Sequence, residues 1–438
     1  MRITVIGTGY LGAVHAAGMA QLGHDVLGVD VDTFKIEQLA SGHAPFFEPG
    51  FPELLRHNVS AGRLNFSTSL KEAADFGEVH FICVGTPQRP GSAAADMKYV
   101  DAVVQGLVPN FSRPCLIVGK STVPVGTAAR LAKMVADLSP VAQVEVAWNP
   151  EFLREGFAVN DTLHPDRLVV GVSSPEADAT LRQVYAGILD AGTPYISTDV
   201  ATAELVKVSA NAFLATKISF INAISEICEA VGADILPLAA ALGHDARIGN
   251  RFLSPGLGFG GGCLPKDIRA FLAWAEELGI GESLTFLRNV DSININRRQS
   301  AVDLARGMLG GSLENKRIAV LGAAFKPSSD DVRDSPALSV ASALQSHGSH
   351  VRVHDPEAVE NARAAYPNLN YTTEVDKVLE GAELTLHLTE WQEYRQLDPA
   401  HLSTLVTAPC ILDARNTLDI DHWRAAGWTV RAMGRPSR

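Results

Sequence analysis

The stretch from Gly256 to Cys263 combines a reactive side chain with a dense run of glycines. Five of the seven residues from Gly256 to Gly262 are glycine, and Cys263 follows directly. Because glycine loses more backbone entropy on folding than other residues, this density predicts close approach of the main chain to a ligand. A cysteine thiolate at the beginning of a helix is a competent nucleophile toward an aldehyde. We therefore predict that Cys263 forms a covalent intermediate.

Asp267 is predicted to act beside this cysteine. It lies four residues after Cys263, one turn away if the chain is helical from Leu264 onward. The five cysteines show no CxxC spacing, so we expect neither a disulfide framework nor a metal site. The other four cysteines lie in apolar runs or on a predicted helix and are interpreted as core residues: Cys83, Cys115, Cys228 and Cys410.

Lys207 and Asn211 lie four residues apart on a predicted helix and therefore share one face. An amine and an amide are costly to bury unless other groups pair with them. The pattern leaves two interpretations open. The pair is either functional and buried, or exposed and without a role.

Two loops after predicted strands carry further polar groups. The segment from Lys120 to Gly126 contains Thr122, and the segment after the next strand places Glu151 and Glu155 on either side of an apolar Phe-Leu pair. Turn formation explains the prolines of these segments, but it does not explain the carboxylates. We expect both loops to border the cofactor site.

The N-terminus predicts that site. A short apolar strand is followed at once by Gly7-Thr8-Gly9-Tyr10-Leu11-Gly12 and then by a predicted helix. These glycines permit a tight turn and let backbone N–H groups approach a pyrophosphate. Asp30 ends the next apolar run, where a carboxylate accepts hydrogen bonds from ribose hydroxyls and repels a 2′-phosphate. NAD is therefore expected rather than NADP, and Asp32 either shares this role or is a solvated loop acid.

Apolar runs alternate with helical stretches in two separate series, which predicts two Rossmann-like, doubly wound α/β domains joined by a central helical segment. We expect an NAD-binding domain at 1–200, a helical connector and dimerisation region at 201–300, and a C-terminal α/β domain at 301–438. The predicted strands are Ile3–Ile6, Val26–Val29, Val79–Val84, Cys115–Val118 and Val144–Trp148, then Arg317–Gly322, Val351–His354, Leu384–Leu388 and Cys410–Asp413.

The connector has apolar residues at helical spacing, among them Phe213, Ile218, Ile221 and Ile224. Surplus apolar surface on a long helix favours a homodimer. The alternative is that this surface packs only against the chain's own two domains.

The C-terminal domain lacks the glycine triplet, so we expect no second dinucleotide there. Lys326, Arg333 and Arg415 lie just past predicted strand ends or in the loops that follow, at the edge where open α/β sheets bind ligands. Cations there suit a nucleotide diphosphate, although each is also compatible with an ordinary surface charge.

Composition excludes several classes of protein. The 37 basic and 49 acidic residues give a net charge of −12, and no long basic run could follow a phosphate backbone, so nucleic acid is not an expected partner. We find neither a signal-peptide core nor a segment approaching a membrane span. A reducing cytoplasmic location is expected, and 438 residues predict two or three domains.

These motifs resemble those of the UDP-glucose/GDP-mannose dehydrogenase family over almost the whole chain. In that family a Rossmann domain that holds NAD is joined by a central helix to a second α/β domain that holds the nucleotide. The resemblance rests on Gly7–Gly12, Phe81–Pro87, Ser121–Gly126, Asn149–Gly156, Lys207–Asn222, Phe259–Asp267, Phe325–Pro327 and Asp413–Asn416.

The resemblance implies a four-electron oxidation of a sugar C6 alcohol. Cys263 would attack the C6 aldehyde left by a first hydride transfer, and the thiohemiacetal would give up a second hydride to become a thioester. Hydrolysis would then release the acid.

The resemblance also implies roles for other residues. Lys207 and Asn211 would stabilise the developing oxyanion. Glu151, Asp267 and Thr122 would orient or activate water, and which carboxylate is the base in which step stays open. Cofactor contacts are expected from Gly7, Gly9, Tyr10, Leu11, Gly12, Asp30, Thr86, Thr122, Glu155 and Arg333. Substrate contacts are expected from Glu151, Phe152, Leu153, Lys207, Asn211, Phe259, Gly260, Lys326 and Arg415, and from Arg247 toward the neighbouring subunit's substrate.

Within the family, the segment Asn160–Gly171 looks closer to the UDP-glucose members, so oxidation of UDP-glucose to UDP-glucuronate is expected. GDP-mannose or a UDP-N-acetylhexosamine is the alternative substrate. Two other functions share the fold pattern: a two-electron alcohol dehydrogenase, which needs no cysteine, and a non-catalytic NAD-sensing or scaffold protein, which would lose the reactive residues.

Overall fold

The computed structural model describes residues 1–141 and 143–436 and contains two compact units. The first unit comprises Met1–Ala210 with Arg269–Trp274, and the second comprises Asn211–Ile268 with the described residues from Ala275 onward.

The first unit is built on an eight-stranded sheet in the order β3-β2-β1-β4-β5-β6-β7-β8. Its strands are β1 (Arg2–Ile6), β2 (Asp25–Val29), β3 (Leu64–Ser67), β4 (Val79–Ile82), β5 (Cys115–Gly119), β6 (Val144–Trp148), β7 (Leu168–Gly171) and β8 (Tyr195–Thr198). Every pair of neighbours is parallel except β6 and β7. The winding reverses between β1 and β4, and open α/β sheets bind their ligands at such a switch point.

Helices cover both faces of this sheet because its apolar side chains alternate in direction. Val5 packs in one core with residues of the first helix, whereas its neighbour Ile6 packs in the other core with Ile82. The helices are α1 (Tyr10–Gln21), α2 (Thr33–Ala40), α3 (Phe51–Ser60), α4 (Leu70–Phe76), α5 (Lys98–Leu107), α6 (Thr127–Leu138), α7 (Ala158–Leu163), α8 (Pro175–Val184) and α9 (Ala186–Asp190), with a 3-10 helix at Val108–Asn110.

Helix α10 (Val200–Val231) begins in the first unit and ends in the second. Its 32 residues correspond to a length of about 48 Å. Further along the chain come α11 (Ile235–Gly243), α12 (Leu264–Glu277), a 3-10 helix at Gly281–Leu284 and α13 (Phe286–Met308).

The second unit contains a six-stranded, wholly parallel sheet in the order β11-β10-β9-β12-β13-β14. This order repeats the first six strands of the other sheet, so the second unit is also doubly wound. Its strands are β9 (Arg317–Leu321), β10 (His350–His354), β11 (Asn370–Thr372), β12 (Leu384–His387), β13 (Cys410–Asp413) and β14 (Thr429–Ala432). Its remaining helices are α14 (Pro336–Ser346), α15 (Val359–Ala365), α16 (Val375–Leu379), α17 (Gln392–Arg395), α18 (Pro399–Ser403) and α19 (Ile420–Ala425).

The predicted fold class is confirmed, and all nine predicted strands occur. The region from 202 to 287 contains no strand, as predicted. Five strands were not predicted, namely β3, β7, β8, β11 and β14. Strands β3 and β8 are half-exposed sheet edges and β11 has three residues, so these lack the continuous apolar run of a central strand.

The interpretation of these cysteines as core residues is confirmed for Cys228, which is buried, and for Cys83 and Cys115, which are partly exposed but pack against the hydrophobic cores of the first unit. Cys410 is partly exposed. Cys115 and Cys410 are the first residues of β5 and β13, and side chains at a strand's first position reach the rim of the sheet. Nowhere in the described chain does a helix combine the length and apolarity that crossing a membrane requires.

Close packing at the end of β5 generates a stability prediction. A Cβ on Gly119 would lie 2.0 Å from a ring carbon of Trp148, which is 1% exposed and lies opposite Gly119 on β6. Gly119→Ala should therefore lower the free energy of unfolding by about 1–3 kcal/mol, measured from the denaturant or thermal midpoint.

The control is Gly187→Ala on exposed α9, where an added Cβ meets only a Leu22 side-chain carbon at 3.8 Å. This change should be neutral or slightly stabilising, since alanine is the better helix former. An unchanged midpoint for Gly119→Ala would contradict the packing argument.

Candidate functional site

The loop between β1 and α1 has the geometry of a dinucleotide cradle. A Cβ on Gly7 would lie 2.8 Å from the backbone N of Val84, and a Cβ on Gly12 would lie 1.9 Å from the carbonyl oxygen of Gly7. Only glycine fits at these two positions. Gly9 is the N-cap of α1 and has open space on its Cβ side, so a pyrophosphate can approach the backbone there.

Asp30, just after β2, is held as a charged acceptor. Its Oδ2 accepts hydrogen bonds from the Thr8 amide at 2.9 Å and from Lys35 Nζ at 3.0 Å, and its Oδ1 accepts from the Asp32 amide at 3.1 Å. Burial by itself raises the pKa of Asp30, but these hydrogen bonds outweigh it and lower the pKa. A carboxylate in this position suits ribose hydroxyls and therefore fits NAD.

Two neighbours of Asp30 are clarified by the structure. Asp32 is the N-cap of α2 and accepts from the Lys35 amide, so it has a structural role. Lys35 was not predicted from the sequence as a partner of Asp30. Its position five residues after Asp30, in the first turn of α2, could have indicated the contact.

A buried glutamate anchors the loop after β5, which carries Thr122. Glu204 on α10 is 2% exposed and accepts from the amides of Gly126 and Ala128 at 2.7 and 2.6 Å. Burial raises the pKa of Glu204 in spite of these two donors. Thr86, which lies after β4, binds this loop, because its hydroxyl donates to the Thr122 carbonyl oxygen at 2.7 Å.

A second buried glutamate, which sequence reasoning missed, anchors the loop after β6. Glu48 is 1% exposed and accepts from the amides of Gly156 and Ala158 at 2.6 and 2.7 Å. The Gly156 amide also donates to the Tyr10 hydroxyl at 2.8 Å, so the dinucleotide loop and the Glu151–Glu155 loop are tied together.

Glu151 and Lys207 form a buried ion pair in the first unit. Oε1 of Glu151 and Nζ of Lys207 are 2.9 Å apart, and the side chains are 7% and 6% exposed. The Leu153 amide donates to Oε2 of Glu151 at 2.6 Å, and the Phe152 ring lies 5.6 Å from Nζ of Lys207. Lys207 is therefore buried with a partner.

Asn211 and Asp267 form the corresponding pair in the second unit. Nδ2 of Asn211 donates to Oδ2 of Asp267 at 2.7 Å, and Nζ of Lys266 lies 2.9 Å from Oδ1. Cys263 directly precedes α12, and its carbonyl oxygen accepts from the Asp267 amide at 2.9 Å. The predicted helical turn between Cys263 and Asp267 is confirmed.

The glycines before Cys263 make room for the protein's own residues. An added Cβ would lie 2.3 Å from the Asp334 carbonyl oxygen at Gly260, 2.8 Å from the Phe325 ring at Gly261 and 2.4 Å from the Arg333 guanidinium carbon at Gly262. Packing of the protein's own atoms therefore already requires glycine at these three positions, and the close approach of a ligand to this backbone stays a prediction.

Asn294 on α13 fixes Phe259 within this loop, and sequence reasoning did not find it. Its Oδ1 accepts from the Phe259 amide at 2.7 Å, and its Nδ2 donates to the Phe259 carbonyl oxygen at 2.9 Å. Asn294 is 1% exposed and Phe259 is 6% exposed.

The predicted cations of the second unit have different surroundings. Arg415 pairs with Glu390 at 3.2 Å and donates to the Gly258 carbonyl oxygen at 2.9 Å, so it braces the glycine loop. Arg333 is 62% exposed and forms a bidentate pair with Asp331. Lys326 Nζ lies 5.3 Å from the Phe325 ring centroid. Arg247 is 89% exposed and pairs with Asp245.

Comparison with known proteins identifies the same family along the chain. Models of the UDP-glucose/GDP-mannose dehydrogenase family match as the NAD binding domain at residues 1–189, the central domain at 201–296 and the UDP binding domain at 319–420.

The relatives extend over the full length. A UDP-glucose 6-dehydrogenase of Rhizobium meliloti (strain 1021) is 40% identical over 438 residues, covering 100% of both chains. The structure of a UDP-glucose dehydrogenase from Pyrobaculum islandicum is 37% identical, with a TM-score of 0.90 and 98% of each chain covered. The structure of a UDP-D-ManNAc dehydrogenase from Pyrococcus horikoshii is 26% identical, with a TM-score of 0.87 and 100% of each chain covered.

The Asn294 bonds generate a prediction about the glycine loop. Asn294→Ala should leave the Phe259 amide without its buried partner, lower the free energy of unfolding by about 1–3 kcal/mol and raise hydrogen exchange at that amide. The measurement is exchange followed by mass spectrometry. Asn296→Ala, an exposed position on the same helix, is the matched control. Equal exchange in the two variants would contradict the assignment.

Proposed function

This chain belongs to the UDP-glucose/GDP-mannose dehydrogenase family, and we propose that it oxidises UDP-glucose to UDP-glucuronate through a thioester on Cys263. The observation that carries the proposal is Cys263 at the start of α12, followed one turn later by Asp267 in a bond to Asn211. The names of relatives at 37–40% identity support UDP-glucose.

The proposed reaction removes four electrons from C6 and uses the cysteine once. Bound NAD supplies a hydride acceptor for each of the two oxidations. The first oxidation leaves an aldehyde, and the Cys263 thiolate attacks it to form a carbon–sulfur bond and an oxyanion that becomes a thiohemiacetal. Loss of the second hydride gives a thioester, and water cleaves the carbon–sulfur bond to release the acid and the thiol.

Polar side chains are assigned to the stabilisation of the charge that develops during the reaction. Lys207 and Asn211 stabilise the oxyanion, a task in which one donor is worth roughly 3 kcal/mol. Glu151, Asp267 and Thr122 orient or activate water. The cofactor contacts in this proposal are Gly7, Gly9, Tyr10, Leu11, Gly12, Asp30, Thr86, Thr122, Glu155 and Arg333.

The substrate contacts in this proposal are Glu151, Phe152, Leu153, Lys207, Asn211, Phe259, Gly260, Lys326, Arg415 and, toward a neighbouring subunit, Arg247. Accordingly we assign NAD binding to residues 1–200, connection and dimerisation to 201–300, and nucleotide-sugar binding to 301–438.

A UDP-N-acetylhexosamine is the second candidate substrate, because the relative from Pyrococcus horikoshii is described as a UDP-D-ManNAc dehydrogenase. Its 26% identity is lower than that of the UDP-glucose relatives. A panel of UDP-glucose, UDP-N-acetylhexosamines and GDP-mannose assayed for NADH release separates these candidates.

The covalent route predicts a stoichiometry. The wild-type protein should release two NADH for each UDP-glucose consumed. Cys263→Ala should reduce acid formation more than roughly a thousandfold, because it removes the nucleophile, and should leave NAD affinity nearly unchanged. Product analysis and a binding titration measure the two effects.

Cys410→Ala is the control, because it makes the same substitution at a different cysteine. One NADH per sugar, or acid formation by Cys263→Ala at near wild-type rate, would overturn the route. Release of no NADH would favour a non-catalytic protein.

We further propose that the chain forms a homodimer through α10. Phe213, Phe220 and Ile227 follow one another at seven-residue intervals and are 67%, 51% and 56% exposed, whereas Ile221 is fully buried. Seven residues make nearly two helical turns, so these three side chains form one exposed apolar stripe. Burial against a second copy would remove it from water.

We also propose that the enzyme works in the cytoplasm. The spacing of its cysteines does not predict a disulfide framework, and a reducing compartment would keep the Cys263 nucleophile as a thiol.

The dimer proposal predicts that charges on the stripe separate the subunits. Phe213→Asp/Phe220→Asp should halve the molecular mass measured by sedimentation or light scattering, because burying two carboxylates per subunit opposes association. Leu138→Asp, a partly exposed apolar position on α6, should leave the mass unchanged. A double variant with wild-type mass and circular dichroism would contradict the proposed interface.

A further inference from the structure

Lys120 occupies a special position at the ligand edge of the first sheet. Lys120 directly follows β5, just as Cys83 follows β4 and Asn149 follows β6. Because Ile82, Gly119 and Trp148 are paired across these three strands, the next residues along, Cys83, Lys120 and Asn149, lie side by side. Lys120 is 8% exposed. An ammonium group is therefore buried at the edge where the dinucleotide loop and the Glu151 loop meet.

The bonds of Lys120 fix the beginning of the loop that carries Glu151. Nζ of Lys120 donates to Oδ1 of Asn149 at 2.9 Å, two residues before Glu151. The hydroxyl of Tyr185 donates to the same oxygen at 2.6 Å, and Nδ2 of Asn149 donates to the Val169 carbonyl oxygen at 2.8 Å. Asn149 is thus held from three directions.

The titratable groups next to Lys120 that belong to the surrounding core are uncharged near neutral pH. Burial raises the pKa of the Cys83 thiol to about 12, and burial raises the pKa of Tyr185 well above its ordinary value. Burial also lowers the pKa of His15 on α1 well below its ordinary value. The rings of Phe81 and Tyr185 lie 5.9 and 6.0 Å from Nζ.

The charged groups that act on Lys120 are Glu151 and Lys207. Glu151 attracts the Lys120 ammonium, and Lys207 repels it. Two buried ammonium groups therefore share one carboxylate, and only Lys207 forms a direct ion pair with it, at 2.9 Å. Any change in the charge of Lys120 alters the balance of this pair.

We propose that Lys120 is a positioning residue that holds the Asn149–Glu151 segment and whose charge sets the basicity of Glu151 within the Glu151–Lys207 pair. This inference rests on the proposed role of Glu151 in proton transfer. It assigns to Lys120 an electrostatic effect on the reaction without direct contact with the substrate.

The electrostatic effect of Lys120 on Glu151 should change near pH 8, where Lys120 loses its charge. Burial lowers the pKa of Lys120 to about 8, with the Glu151 carboxylate opposing the decrease and the Lys207 ammonium adding to it. Below this pH the Lys120 charge stabilises the Glu151 carboxylate and weakens it as a base. Above it the charge is lost and Glu151 becomes a stronger base, so the rate should rise.

The test is the pH profile of kcat for the full-length protein and its variants. Wild type should show an inflection near pH 8. Lys120→Met and Lys120→Gln should both lose it, because neither side chain carries a charge that disappears on deprotonation. Lys133→Met, on the exposed side of α6, should keep the wild-type profile.

The two variants separate charge from structure. Glutamine keeps a donor for Asn149 and carries no charge, so a wild-type profile in Lys120→Gln together with an altered one in Lys120→Met would overturn the electrostatic role. A wild-type profile in Lys120→Met would overturn it as well.

A direct titration covers the case in which these variants do not fold. In protein labelled with 13Cε-lysine, NMR should show one lysine with a midpoint near pH 8. The midpoint should fall in Glu151→Gln and rise in Lys207→Met, and an unmoved midpoint in both would overturn the inference. The titration requires no turnover, so failure of the proposed function is recognised separately, from the absence of NADH release by wild type with UDP-glucose.

Discussion

The need to pair the polar side chains that α10 carries into the interior governs much of this structure. Glu204, Lys207 and Asn211 are each less than a tenth exposed. A buried charge without a partner costs several kcal/mol, so this face of the helix can be buried only if partners meet it. The partners are the amides at the start of α6, the carboxylate of Glu151 in the loop after β6 and the carboxylate of Asp267 in the first turn of α12. Burying the helix therefore also shapes the loops that carry the proposed chemistry.

The glycine loop before Cys263 shows the same coupling of packing and chemistry. Its glycines lie where neighbouring side chains and carbonyl oxygens leave no space for a Cβ. Asn294 and Arg415 then bind its backbone from two sides. A loop held in this way presents its cysteine without reorganisation, which is the condition under which fixed donors stabilise a developing charge. The rigidity comes from the protein's own atoms, and the ligand need not supply it.

Local patterns allowed most of the fold and the types of the site residues to be predicted. Central strands appear as continuous apolar runs, and the motif from Gly7 to Gly12 follows one strand directly, so neither depends on distant contacts. The helical turn from Cys263 to Asp267 and the shared helix of Lys207 and Asn211 are also local. Edge strands such as β8 escaped prediction because half of their surface faces water and their residues are correspondingly mixed.

By itself, the sequence determined which chemical groups the chain can offer and on which kind of element each lies, because secondary structure follows spacing over a few residues. The tertiary structure decided which groups meet. Asn211 forms a hydrogen bond with Asp267, 56 residues away in the sequence, and Phe259 forms one with Asn294, 35 residues away. It also decided that Lys120 is buried beside neutral groups, a matter of dielectric surroundings that residue types do not specify. Such pairings depend on how the layers close over one another, since contacts between distant segments form only when the whole core packs.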